Sequence, residues 1–313
     1  MAFRELTGLA RELYLKKQVQ ELTSLYGQAQ RSIVGKLRSL DLTKFERTRA
    51  EAILKQVNAV VASLDSGALR WAKKTLPYSY ERGVDIAAER LRALEVTRFV
   101  DYDAKIHTQA INVIVDDVTV SLLAANRSIG AVMSRFLRTT QQTLIQDREI
   151  SRLIGEGLLE GSPRRTVSDS ILGELRDQMD EEQFIVINGR NYKPDLYAKL
   201  VARTRTREAT TQGTINTSLR YGVDLTQVDV HQAACEYCQQ FSGRVFSISG
   251  TDEDFPALKE QPPFHPNCEC VLVPVTRRAL ERRGYLDEVI KLSNRPSIEI
   301  PSFTRFEEVL SEL

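Results

Sequence analysis

Histidine is scarce in this chain, with three in 313 residues, so imidazole acid–base chemistry has few candidates. Charge of one sign is also lacking. Lys and Arg number 43 against 42 Asp and Glu, for a net charge of +1. That balance excludes gross electrostatic attraction as the main binding mode but permits local basic patches. Two are readable: Lys16, Lys17, Arg31, Lys36 and Arg38, with Glu21 as the one acidic residue between positions 13 and 38, and a cluster at Arg277, Arg278, Arg282 and Arg283. No apolar run approaches the ~20 residues that a membrane-spanning helix requires. The opening Met-Ala-Phe-Arg-Glu-Leu turns charged at once and lacks the apolar core of a secretory leader. Glycine-rich phosphate loops and the dinucleotide-binding fingerprint are absent. These absences predict a protein without a membrane span, made in a reducing cytosol.

What is present is helical for more than half the length. Leu6, Leu9, Leu13, Leu22 and Leu25 recur at three- and four-residue spacing, and so do Phe45, Ile53, Leu54, Val57, Val61 and Leu64. Such stripes predict amphipathic helices across residues 1–98, a helical arm, with breaks at Ser66-Gly67 and Pro77. Residues 99–183 continue in helical style. Ile111, Ile114, Val115, Val118, Leu122 and Leu123 form one face, and Met133, Phe136, Leu137 and Leu144 belong to the next helix. Ser162-Pro163 reads as a cap followed by proline at the first position of a helix that carries Ile171, Leu172 and Leu175.

The pattern changes near residue 184. Phe184 to Ile187 is a strand-like run ending in Asn188-Gly189, a dipeptide suited to a tight hairpin. A helix is predicted from about 195 to 221, ended by Gly222. Short strands follow at about 227–230, 244–248 and 270–275. The fold class is α+β: a long, mostly helical N-terminal region, then a small α+β domain at 184–275. Residues 276–313 hold the basic cluster, a linker with Pro296 and Pro301, and an acidic segment with Phe306, Val309, Leu310 and Leu313 at helical spacing.

All four cysteines lie between 235 and 270. In a reducing compartment such a cluster reads as metal-binding before disulfide or inert thiol. Cys235 and Cys238, three apart, can meet one ion across a turn. Cys268 and Cys270, two apart on an extended chain, point to the same side. Soft thiolates favour zinc. The preferred ligand set is Cys235, Cys238, Cys268 and Cys270. His265 is the substitute or supporting group, and His231 an extra candidate near a strand end. A catalytic zinc keeps an open position, whereas these thiols suffice to close the shell. Zinc nucleobase deaminases place a Glu two residues after a His, but here those positions are Ala233 and Asn267. The site therefore reads as a structural zinc knuckle, and the protein as a non-enzyme.

On the helix from 195, Thr204, Glu208, Gln212 and Asn216 fall four apart in one polar line, with Arg203 and Arg207 beside it. A solvated face is the default reading. The alternative is a partly buried structural network including Arg203, which pins the helix to the cysteine loops and must be fully hydrogen-bonded.

Five stretches in order carry a resemblance: NGRNYKP at 188–194, VARTRTREA at 201–209, VHQAACEYC at 230–238, GRVFSISG at 243–250 and PPFHPNCEC at 262–270. Together they resemble the tailed-phage minor head proteins, the Mu-F-like head-morphogenesis family and its minor capsid relatives, over residues 184–275. The resemblance carries over to Arg203, Thr204, Glu208, Cys235, Cys238, His265 and Cys268; at position 270 relatives can place His. It implies a virion protein of the head interior or portal vertex, assembled in the host cytoplasm. Its partners would be the portal protein and the major capsid or scaffolding protein, and its role would lie in head assembly, DNA packaging or ejection. Two other readings are kept. One is a protein that binds double-stranded DNA through its basic segments and travels with the genome. The other is a metal-dependent hydrolase, which requires an open coordination site.

Overall fold

The structure, a computed structural model, describes residues 8–39, 47–97, 105–146, 185–187, 190–230, 234–265 and 268–296. Three long helices come first: α1 (Gly8–Arg38), α2 (Arg47–Ala93) and α3 (Ile106–Gln146). A hairpin of β1 (Ile185–Ile187) and β2 (Arg190–Tyr192) precedes α4 (Pro194–Arg220). Then come β3 (Leu225–Asp229), α5 (Glu236–Gln239), β4 (Val245–Ser247), β5 (Val271–Pro274), α6 (Arg277–Arg282) and α7 (Leu286–Ser293). The helix expected around Ser162-Pro163, with Ile171, Leu172 and Leu175, lies outside the described residues, as do Phe184, Asn188-Gly189, His231 and 297–313.

The breaks expected in the second helix are corrected. α2 runs 47 residues through Ser66, Gly67 and Pro77. A proline removes one backbone donor and usually breaks a helix at a cost of about 3 kcal/mol. Here burial on both sides offsets it: Trp71, Ala72, Leu76 and Tyr80 are all at most 2 % exposed. Fully burying a large apolar side chain contributes roughly 1.5–3 kcal/mol, so several such neighbours outweigh one lost bond.

The chain forms two compact units, each discontinuous in sequence. One comprises Met1–Lys16, Ala72–Asp117 and Leu200–Leu313; the other comprises Lys17–Trp71 and Val118–Lys199. The second unit is a helical bundle. Leu22, Tyr26 and Ile33 of α1, Val57 and Leu64 of α2, and Leu122, Ile129 and Met133 of α3 are essentially unexposed. The Trp71 indole N–H donates to the Gln18 carbonyl at 2.8 Å, and the Asn126 amide donates to Asp65 at 2.8 Å.

Among the described residues one helical stretch, Ile106–Leu137, is long and apolar enough to cross a membrane, with a mean hydropathy of 1.3. Its burial is one-sided. Val115, Val118, Leu122, Ala125, Ile129 and Met133 are buried, while Asp116, Asp117 and Arg127 are exposed. A spanning helix is apolar all round, whereas one stripe at this spacing is the pattern of a bundle helix.

The first unit holds the α+β part. Its sheet has the order β4-β3-β5, antiparallel throughout, with Leu225 opposite Ser247 and Val228 opposite Leu272. α4 ends where the sequence predicts. Gly222 takes a φ of 68°, and the Val223 N–H returns to the Ser218 carbonyl at 2.9 Å, satisfying a carbonyl of the last turn.

α4 packs on the 72–93 part of α2 through a seam that the sequence reading missed. The hydroxyls of Thr206, Thr210, Thr214 and Ser218 each donate to the carbonyl four residues earlier. Thr210 also reaches the Ser79 carbonyl at 2.9 Å, and Thr214 the Gly83 carbonyl at 3.2 Å. The two backbones nearly touch. A Cβ on Gly83 would collide with the Thr210 carbonyl, and one on Gly213 with that of Tyr80.

Candidate metal centre

The cysteines sit in the hydrophobic core beside the sheet. Cys238, Cys268 and Cys270 pack with Ile215 of α4, Val228 of β3, Phe241, Phe246 of β4 and Leu272 of β5. Cys235 caps the N-terminus of α5 in an extended conformation, and its carbonyl accepts the Gln239 N–H at 3.0 Å. This turn brings Cys235 and Cys238 to one side. The second half is set by another turn, in which the Cys268 N–H donates to the His265 carbonyl at 3.0 Å. Cys268 and Cys270 are then buried while Glu269 between them is exposed. That is the alternation expected of extended chain, although the two cysteines precede β5 and do not lie within it.

Five donors converge. Cys235, Cys238 and His265 form one group and Cys238, Cys268 and Cys270 another, with ligand atoms in each group within 4.8 Å of one another. Cys238 is common to both. His265 Nε2 lies 3.2 Å from the Cys235 Sγ and 3.0 Å from the Cys238 Sγ. The imidazole thus stands among the sulfurs and not behind them. The sulfurs of Cys238 and Cys268 are 3.7 Å apart. A disulfide needs about 2.05 Å, whereas two thiolates at roughly 2.3 Å from one tetrahedral ion lie about 3.8 Å apart. No cysteine is in a disulfide. The donor set, its spacing and its burial fit a thiophilic metal ion. Hydrogen bonds among the sulfurs push the Cys238 thiol up and hold Cys268 well below the usual thiol range.

Aromatic rings cover the cluster. Phe241 and Phe264 stack with centroids 4.3 Å apart, and Tyr237 meets Phe241 edge-on at 5.3 Å. The Tyr237 hydroxyl donates to Glu260 at 2.7 Å. Burial, and then this bond, raise the phenol above its ordinary range. The sequence signal was available: Tyr237 and Phe241 are four apart in a chain with few aromatics. Arg207 of α4 pairs with Glu269 of the cysteine loop at 3.7 Å.

The polar line on α4 divides. Glu208 pairs with Arg205 at 2.8 Å, and Arg205 also lies 3.3 Å from Asp117. Thr204 is buried, and its hydroxyl finds no partner among the described residues. Arg203 is exposed. Gln212 donates to Asn216 at 2.9 Å, and Asn216 donates to the Tyr80 hydroxyl at 2.8 Å. That hydroxyl lies 2.9 Å from His107 Nδ1. Because Asn216 donates, the Tyr80 proton is free for Nδ1, which makes His107 the neutral acceptor. Burial, and then Arg220, lower the His107 pKa, consistent with that form. His107 was the one histidine that no spacing singled out. Within the C-terminal basic cluster, Arg277 pairs with Asp252 and Asp254 and Arg282 with Glu95.

Residues 172–262 match the family model described as phage minor capsid protein 2. No curated protein and no solved structure matches the chain. The matched segment takes in α4, β3, Cys235, Cys238 and β4, and it stops short of His265, Cys268 and Cys270. Over residues 172–262 the chain is thus similar to the phage minor capsid protein 2 family.

Proposed function

We propose that this protein is a structural component of a tailed-phage head, seated at the portal vertex or the inner capsid surface, and that the cysteine cluster is its zinc staple. The family match over residues 172–262 carries the first part. Its partners are the portal and the major capsid or scaffolding protein, and its role lies in assembly, packaging or ejection rather than catalysis. Cross-linking of procapsids with a lysine-reactive reagent tests this. Cross-links to portal subunits are expected, and absence of the protein from purified heads and procapsids overturns the proposal.

For the staple, Cys238 is the central ligand because both donor groups contain it. Cys235 and Cys268 flank it, and His265 and Cys270 compete for the fourth position. A closed shell of this kind stabilises fold: metal affinity becomes folding free energy where the ligand site is absent from the unfolded chain. When bound, zinc would supply a cross-link between the α5 turn and the strand-leading loop in a small sheet domain. Duplex DNA binding is the weaker reading, since carboxylates neutralise Arg277 and Arg282.

A further inference from the structure

A groove lies between the C-terminal end of α2 and helices α6 and α7. Gln227 of β3 lines it, whereas Val228, the next residue, packs with the cysteines, so the groove is on the other face of the sheet. Its volume is about 270 Å³, and its apolar wall includes Leu94, Leu280, Val289 and Leu292. Small-molecule sites run about 300–1,000 Å³, so this one suits an inserted side chain or two. A tight turn builds its rim. The Tyr285 N–H returns to the Leu280 carbonyl at 3.1 Å and the Gly284 N–H to that of Glu281 at 2.9 Å, while Gly284 takes a φ of 72°. That bond pair closes a helix C-terminus through one left-handed residue. It fixes Arg283 and Tyr285, both groove residues, on either side of the glycine. The Tyr285 ring stays 55 % exposed.

Positive charge is in excess on the groove. Arg90 and Arg283 line it against one carboxylate, Glu288. Neither arginine forms an ion pair among the described residues, and the Arg90 Nε is buried without a hydrogen-bond partner there. A guanidinium beside an apolar wall and short of a counter-charge pairs strongly with a carboxylate brought to it, often through two parallel hydrogen bonds. Arginine and tyrosine around an apolar pocket are also the residues that dominate protein–protein contacts. A phosphate backbone would satisfy the arginines but leave the apolar wall uncovered. We propose that this groove docks an acidic, leucine-bearing segment of another protein, with a large apolar side chain in the groove and a neighbouring carboxylate on Arg90 and Arg283. The chemistry of the groove carries this whichever assembly the chain joins.

Fluorescence polarisation of the full chain with a labelled Glu-Leu-Asp-Glu-Leu-Leu peptide tests this. That peptide is expected to bind, and versions with Lys for the acidic residues or Ser for Leu should bind about ten-fold more weakly. Bound peptide should slow hydrogen exchange in 277–293. Arg283→Glu, at an exposed position, leaves the apolar wall intact. It should weaken the acidic peptide and strengthen the lysine version, a reciprocal change that loss of fold would not produce. No binding by the acidic peptide, equal binding by all three peptides, or protection confined to amides outside 277–293 overturns the proposal. So does displacement of the peptide by an equal concentration of duplex DNA, or a dimer in sedimentation that Arg283→Glu dissociates, because the occupant is then a phosphate backbone or a second copy.

Discussion

The helix crossing behind the metal centre allows a test in which the sign of an effect is at stake. Gly213→Ala in a helix interior normally stabilises by about 1 kcal/mol. At this site the new methyl would strike the Tyr80 carbonyl, so the backbones must separate. Separation disrupts the interhelix arms of the shared hydroxyl bonds from Thr210 to Ser79 and from Thr214 to Gly83, together about 1 kcal/mol because each proton keeps its own-helix carbonyl. Overpacking adds roughly 1–3 kcal/mol. Set against the helix gain, the net is about 1–3 kcal/mol of destabilisation. Gly35→Ala supplies the control, because a Cβ there meets nothing within 4 Å and only the helix preference acts. Urea or thermal unfolding followed by circular dichroism reads both. The first variant should melt earlier than the parent and the second slightly later. A neutral or stabilising Gly213→Ala would refute the close crossing.

The His107 network predicts a pH dependence. A histidine whose folded pKa is lowered binds fewer protons folded than unfolded, so stability falls as pH drops below the ordinary value of about 6.5 toward the depressed one. His107→Gln, which still offers Tyr80 an acceptor, should flatten that acid limb, and an unchanged slope between pH 7 and 5 would count against the buried neutral imidazole. Arg244→Met removes the guanidinium that holds the Ser293 and Arg295 carbonyls. Hydrogen bonds from charged donors contribute about 1.5–3 kcal/mol each, so amides of α7 should exchange at least ten-fold faster, and unchanged exchange would contradict the latch.

Much of the site was legible because its determinants are local. Cys235 and Cys238 share one turn, and alternation about Glu269 puts Cys268 and Cys270 together. Gly222 marks the end of α4 through a backbone conformation that few other residues adopt. The apolar run before Asn188 does become a strand, Ile185–Ile187, paired antiparallel with Arg190–Tyr192. What was not legible depends on neighbours remote in sequence. Pro77 stays helical because of what packs beside it. Threonines that would ordinarily weaken a helix are satisfied along the α4 seam by their own helix and by carbonyls 131 residues away. Tyr80 and His107 join Asn216 only once three helices are placed.

The metal is the central claim, and elemental analysis of the full chain purified under reducing conditions tests it most directly. One zinc per chain is expected, retained through gel filtration and lost in Cys238→Ser and Cys268→Ser. X-ray absorption on the same sample should show a shell dominated by sulfur at about 2.3 Å, with at most one nitrogen for His265. Freshly purified, folded protein containing no stoichiometric metal, and taking up none from added zinc, would contradict the account.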